Sequence, residues 1–166
     1  MSTKALALPG SAADILSRLP EPPSRAAAAV ALRDLCLIGA MSPHNESLTP
    51  LGRLLVDLPI EPRLAKLILL GLVYGAPDEA LTIAAALSSA RSPFLVPVAS
   101  MEARTMDAAR RRLAHGTQSD HIALLNAYRR YYLLPAGIDS QRADFARRTY
   151  LNPKVLESMR ALKVCG

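Results

Sequence analysis

Apolar positions along this chain recur at helical rather than strand spacing, and capping residues mark where each run starts. Ser11 precedes a short run, Ala12–Arg18, which Pro-Glu-Pro-Pro at 20–23 ends, and Ser24 precedes a longer alanine-rich run, Arg25–Ile38. Between 39 and 49 the helical period fails. Gly39, Pro43 and Asn45 are turn residues between two short apolar pieces, so this segment predicts a small β-hairpin. Thr49-Pro50 then opens a helix over Leu51–Leu58, and Glu61-Pro62 opens another over Arg63–Tyr74, since proline suits the first helical turn. The second is apolar on nearly every side, which predicts a central helix surrounded by others. Gly75 ends it. Pro77, Asp78 and Glu79 begin the next helix, with both carboxylates where the helix dipole favours negative charge. Its body, Ala80–Ala90, is again apolar, so these two helices are expected to pack as an antiparallel hairpin at the heart of a domain.

Beyond an extended segment at 92–97 the pattern becomes amphipathic. The helix predicted at 100–114 sets Met101, Met106 and Leu113 against Arg104, Arg111 and Arg112. Ser119 caps a helix over Asp120–Leu133 in which Ile122, Leu125, Tyr128 and Tyr132 recur at three- or four-residue spacing. Pro135-Ala136-Gly137 makes a break, a helix follows at 139–149, and Asn152-Pro153 opens a last one to about Lys163.

Composition narrows the fold class. Hydrophobic residues are 51% of the chain and aromatics 4%, so Leu, Ala, Val and Ile must build the interior, which favours an all-α fold. The longest nearly apolar run, Leu64–Tyr74, contains Lys66 and falls short of the roughly 20 residues that span a bilayer, so no membrane partner is expected. Met1–Gly10 lacks the long apolar region of a secretory leader, and Cys36 and Cys165 make no disulfide framework. The expected location is intracellular, nuclear or cytoplasmic. Charge is more informative when divided. Residues 1–100 carry eight basic and eight acidic groups, whereas 101–166 carry twelve and six, so the whole excess of +6 lies downstream. Such a face either meets a polyanion or is simply solvated.

Catalytic patterns are absent. His44, His115 and His121 have no partner at metal-ligand spacing, and there is no GxxxxGK[ST] phosphate loop. Ser119-Asp120-His121 contains the names of a triad, but adjacent residues on one helical turn cannot meet in triad geometry. No catalytic and no metal-binding residue is therefore assigned.

Four blocks together resemble the DEAH/RHA-type ATP-dependent RNA helicases, in the region where a winged helix passes into a ratchet domain. They are ILSRLPEPPSRAAAAVALRDLCLIGA (15–40), the stretch 48–97 with its LTPLGR, LPIEPR and LTIAAALS elements, SDHIALLNAY (119–128) and, more weakly, YLNPKVLESMRALK (150–163). The resemblance implies an all-α fold, with a partial winged helix and short β-hairpin over 1–60 and a helical ratchet bundle over 61–166. It implies an accessory module that guides single-stranded RNA and buttresses RecA-like motor domains. Those domains are missing from these residues, as in a fragment or a truncated paralogue; ATP and Mg are expected only there, and no cofactor here. A helicase-activating protein is a further partner that the family suggests.

The resemblance puts Arg91 and Ser92 near the RNA, with His121 and Asn126 as further candidates. Arg91 could pair with a phosphate, while Ser92 and Asn126 could hydrogen-bond to phosphate or sugar. Equally, Asn126 could be a buried group tying two helices, and Arg91 could offset a helix C-terminus. Arg110, Arg111, Arg112, Arg147 and Arg148 form the candidate basic surface. The rival reading is a helical interaction scaffold that never touches RNA. A stand-alone winged-helix DNA binder fits poorly, because Arg25–Ile38 has few groups able to reach base edges.

Overall fold

Side-chain caps and proline fix the helix starts. The computed structural model describes residues 11–97, 100–134 and 139–165. Among them nine helices follow in order: α1 (Ala12–Ser17), α2 (Arg25–Leu37), α3 (Pro50–Val56), α4 (Pro62–Val73), α5 (Pro77–Ser88), α6 (Ser100–Leu113), α7 (Asp120–Leu133), α8 (Asp139–Thr149) and α9 (Pro153–Cys165). The expected all-α class holds. The hydroxyls of Ser11, Ser24, Thr49 and Ser119 each accept from a backbone N–H in the first turn of the following helix. Met1–Gly10, the Pro135-Ala136-Gly137 break, and the side chains of Met101 and Cys165 lie outside the described residues. The chain divides into two compact units, the first ending at Lys66 and the second beginning at Leu67.

In the first unit α2 ends in a Schellman turn. Gly39 takes φ 77°, and the Ala40 and Gly39 N–H groups donate to the carbonyls of Leu35 (2.9 Å) and Cys36 (2.9 Å). The expected hairpin is reduced to one antiparallel bridge, Met41 with Leu48, flanked by Ser42 N–H to Ser47 O (2.9 Å) and Thr49 N–H to Ala40 O (3.0 Å). The loop occupies 43–46 and α3 begins at Pro50, so no length remains for longer strands. Thr49 joins the two pieces: its hydroxyl donates to Gly39 O (2.6 Å) and accepts from Gly52 N–H (3.0 Å). Gly52 lies so close to the wing that a Cβ there would stand 1.9 Å from Ala40 O.

The second unit is built around α7, not α4. Ala123, Leu124, Leu125, Ala127, Tyr128 and Tyr131 are all buried, and α7 packs against α5, α6 and α8. Helix α5, with Ala80, Thr82 and Ala84–Ala86 buried, packs against α7 and α9. The expectation of a fully surrounded 63–74 helix is therefore corrected. Leu70, Leu72 and Val73 of α4 are exposed, Val73 to 77%. The expected α4–α5 hairpin is likewise not the heart of the unit. Its close contact is at Gly71, where a Cβ would meet Ala80 Cβ at 2.3 Å, while the main packing of α5 is against α7 and α9.

The extended segment after α5 has a partner that the sequence did not announce. Leu95 N–H donates to Tyr150 O and Asn152 N–H to Pro93 O, both at 2.8 Å, around a Phe94–Leu151 bridge. Tyr150 makes this possible by taking φ 55° after α8, in a turn where Leu151 N–H reaches back to Ala146 O (2.8 Å). Two loops are thus stitched together, and the one that carries Arg91, Ser92 and Phe94 is held in place.

Candidate nucleic-acid interface

Three elements of the second unit meet around a cleft of about 360 Å³: the end of α5 with its following loop, the last turn of α6, and the first turn of α7. Arg91, Ser92, Arg110 and His121 all line it, over a floor that includes Phe94 and Leu124. Three of the four RNA candidates therefore come together, although 30 positions separate Arg91 from His121 in sequence.

Each has a local reason for its position. Arg91 follows the end of α5, is exposed, and has no carboxylate partner among the described residues. Ser92 accepts from Phe94 N–H (3.2 Å), a turn that leaves its hydroxyl proton available. His121 is exposed in the first turn of α7, where backbone N–H groups and the helix dipole favour an anion. Arg110 seats its guanidinium over the Phe94 ring, 4.6 Å from the centroid, and meets the Asp120 carboxylate at 3.9 Å. Phe94 is buried at 7% exposure, so its ring is a floor rather than a free face.

Asn126 is not in the cleft. It is half-buried and donates to Leu113 O (2.8 Å), closing an orphan carbonyl at the end of α6 and tying that helix to α7. The basic surface is also uneven. Arg111 pairs with Asp107 (2.7 Å), and Arg147 (2.6 Å) and Arg148 (3.7 Å) share Asp144, so these three are partly neutralised on their own helices. Arg112 has no carboxylate partner among the described residues. The Phe94 floor and the Asp120 pairing were missed at the sequence level. The first depends on the 93–95 to 150–152 stitching and the second on the packing of α6 against α7, which no local pattern encodes.

Elsewhere in the unit, polar groups serve packing. Lys163 of α9 is 13% exposed, donates to Asp78 (2.6 Å) and Thr82 Oγ1 (2.7 Å) on α5, and lies over the Tyr128 ring. Arg129 bonds Glu79, whose carboxyl is held below its usual range first by its own backbone N–H and then by that guanidinium. Burial raises the Tyr132 phenol to about 12, and its hydroxyl donates to Leu156 O (3.1 Å). Among the described residues no three His, Cys, Asp or Glu side chains gather as metal ligands, and no helix is long and apolar enough to cross a membrane.

The described residues thus hold a short wing in the first unit and, in the second, a helical bundle with an arginine-lined cleft. The comparisons make the class specific: residues 31–60 match the winged-helix part and residues 61–124 the ratchet-like part of the helicase associated domain (HA2). The chain belongs to the helicase-associated region of the DEAH/DExH-box RNA helicases. It is 39% identical over 154 residues to DExH-box ATP-dependent RNA helicase DExH1 of Arabidopsis thaliana, covering 93% of this chain and 15% of that protein. Human ATP-dependent DNA/RNA helicase DHX36 is 42% identical over 119 residues, 72% of this chain and 11% of the relative. Human putative ATP-dependent RNA helicase DHX57 is 39% identical over 153 residues, 90% and 10% respectively. The chain thus spans about one seventh of the first of these relatives, and less of the other two.

Proposed function

We propose that this chain guides single-stranded RNA for an ATP-dependent helicase, holding the strand in the cleft between α5, α6 and α7 while motor domains that it buttresses hydrolyse ATP. The observation that carries the reading is the convergence of Arg91, Ser92, His121 and Arg110 on one cleft, with Arg91 unpaired among the described residues. Arg91 offers a charge to a phosphate, and Ser92 and His121 offer hydrogen bonds to phosphate or sugar. Such contacts hold a backbone without reading sequence, as movement along a strand requires. ATP and Mg belong to the motor domains, and a helicase-activating protein would act on the assembled machine.

Fluorescence anisotropy with a labelled oligouridylate at rising salt tests this. Arg91→Ala should weaken binding at low salt and reduce the slope of log affinity against log salt by about 0.7, the share of one phosphate contact on a single strand. Salt-independent binding, or none, would reject the cleft as an RNA site. ATP hydrolysis by the purified chain would reject the accessory role. The rival scaffold reading draws on the exposed Leu70, Leu72, Val73 and Tyr74 at the end of α4. It predicts partner binding that Arg91→Ala leaves unchanged.

A further inference from the structure

We propose that Arg110, seated on Phe94, is a stacking platform for one unpaired base, so that the cleft selects strands that are single and carry bases. This rests on the reading of the cleft as an RNA site and adds to it a source of selectivity. Phosphate contacts alone would treat a single strand and a bare sugar-phosphate backbone alike.

Single-strand sites usually combine a positive groove with exposed aromatic rings. The tyrosine cluster of this unit is engaged in its own packing. Tyr128 and Tyr131 are buried, and Tyr132 packs against both, 4.7 and 5.2 Å between centroids. Of the two rings that line the cleft, His121 is the imidazole already assigned to the strand's phosphate or sugar, and Phe94 is covered by Arg110. A flat surface for a base is then offered by the guanidinium itself, whose plane stacks on bases much as an aromatic ring does.

Arg110 is prepared for that task. Phe94 supports it from beneath, and Asp120, 3.9 Å away, restrains it laterally. The side chain retains 38% exposure, and it lines the same cleft as Arg91, Ser92 and His121. A guanidinium already ordered by a ring and a carboxylate loses little further freedom when a base lands on it. Arg111, Arg147 and Arg148 lack this arrangement, because each is paired with a carboxylate on its own helix and is largely exposed. Bases in a duplex are already stacked and paired, so a duplex offers nothing to the platform.

The test compares a labelled octa-adenylate with an abasic strand of the same length and with a short duplex, using the 166-residue chain. Base stacking in single-strand sites predicts about tenfold tighter binding of the adenylate than of the abasic strand. Arg110→Lys keeps the charge but loses the plane. It should abolish the preference, so that adenylate and abasic strand bind alike. A 2-aminopurine placed in the strand should be quenched by the unmodified chain and not by the variant. Equal binding of both strands by the unmodified chain needs no variant to interpret: it overturns the platform, and if Arg91→Ala still weakens that binding the RNA reading stands. A preference that survives Arg110→Lys also overturns it. Binding of neither strand rejects the RNA reading and the platform with it.

Discussion

Tyr132 shows how one residue's environment becomes measurable. Burial disfavours its phenolate, so its pKa rises from 10.0 to about 12, and burial raises Tyr128 as well. The folded value lies above the unfolded one, so the neutral form contributes stability that is complete below about pH 10 and is lost as pH rises through about 12. Alkaline titration followed by phenolate absorbance should therefore show a late component that coincides with unfolding, and Tyr132→Phe should remove part of it. Titration of all five tyrosines as one ordinary group would contradict the burial of this cluster. Gly52 is the other residue on which much depends, since any Cβ there meets the Ala40 carbonyl, a backbone atom that cannot swing aside. Gly52→Ala should cost about 3 kcal/mol in urea melts, at the upper end for overpacking. An unchanged midpoint would mean that wing and α3 are less closely packed than described.

At the scale of elements, Lys163 is the clearest link. Its ammonium joins α9 to Asp78 and Thr82 of α5 through contacts of 2.6 and 2.7 Å, and its stem covers Tyr128. Lys163→Met preserves the stem and deletes the charge. The Asp78 carboxylate is 62% exposed, so solvent screens that half of the link, and the expected loss is about 1–2 kcal/mol by thermal melts. Lys163→Ala should cost more, because the packing of the stem goes too. The helices themselves were legible: Ser11, Ser24, Thr49 and Ser119 cap where a reader expects, and Gly39 and Gly75 end α2 and α4 at positive φ. What stayed hidden depends on distant partners. A helix apolar on all sides, such as α4, looks central in sequence, yet what covers it is decided by which neighbours arrive. The Phe94–Leu151 pairing joins residues 57 positions apart, beyond any local period. The cleft was half legible for the same reason. Arg91, Ser92 and His121 were named from their family blocks, but the seat of Arg110 and the removal of Asn126 to a helix-tying role required the fold.

For the whole molecule, the distribution of uncovered apolar surface carries the argument furthest. Single exposed apolar residues are ordinary, but Leu70, Leu72, Val73 and Tyr74 lie within five positions at the end of α4 and are exposed by 41, 59, 77 and 79%. A cluster of that kind loses free energy to water at roughly 25 cal/mol per Å², which any apolar surface can relieve by covering it. With no partner present, the nearest such surface is another copy of the chain. The purified chain should therefore associate as its concentration rises, seen as a growing weight-average mass in sedimentation equilibrium. Glutamate at both Leu72 and Val73 should suppress that association. Because these side chains contribute little burial to their own fold, the melting temperature should change by no more than a few degrees, the shift produced by roughly 0.5 kcal/mol at an exposed site. The same double variant should leave oligonucleotide binding intact, since none of these four residues lines the cleft. Loss of RNA binding together with loss of association would instead tie the two surfaces into one function, and a chain that stays monomeric at every concentration would show that the α4 cluster is too small to drive contact unaided.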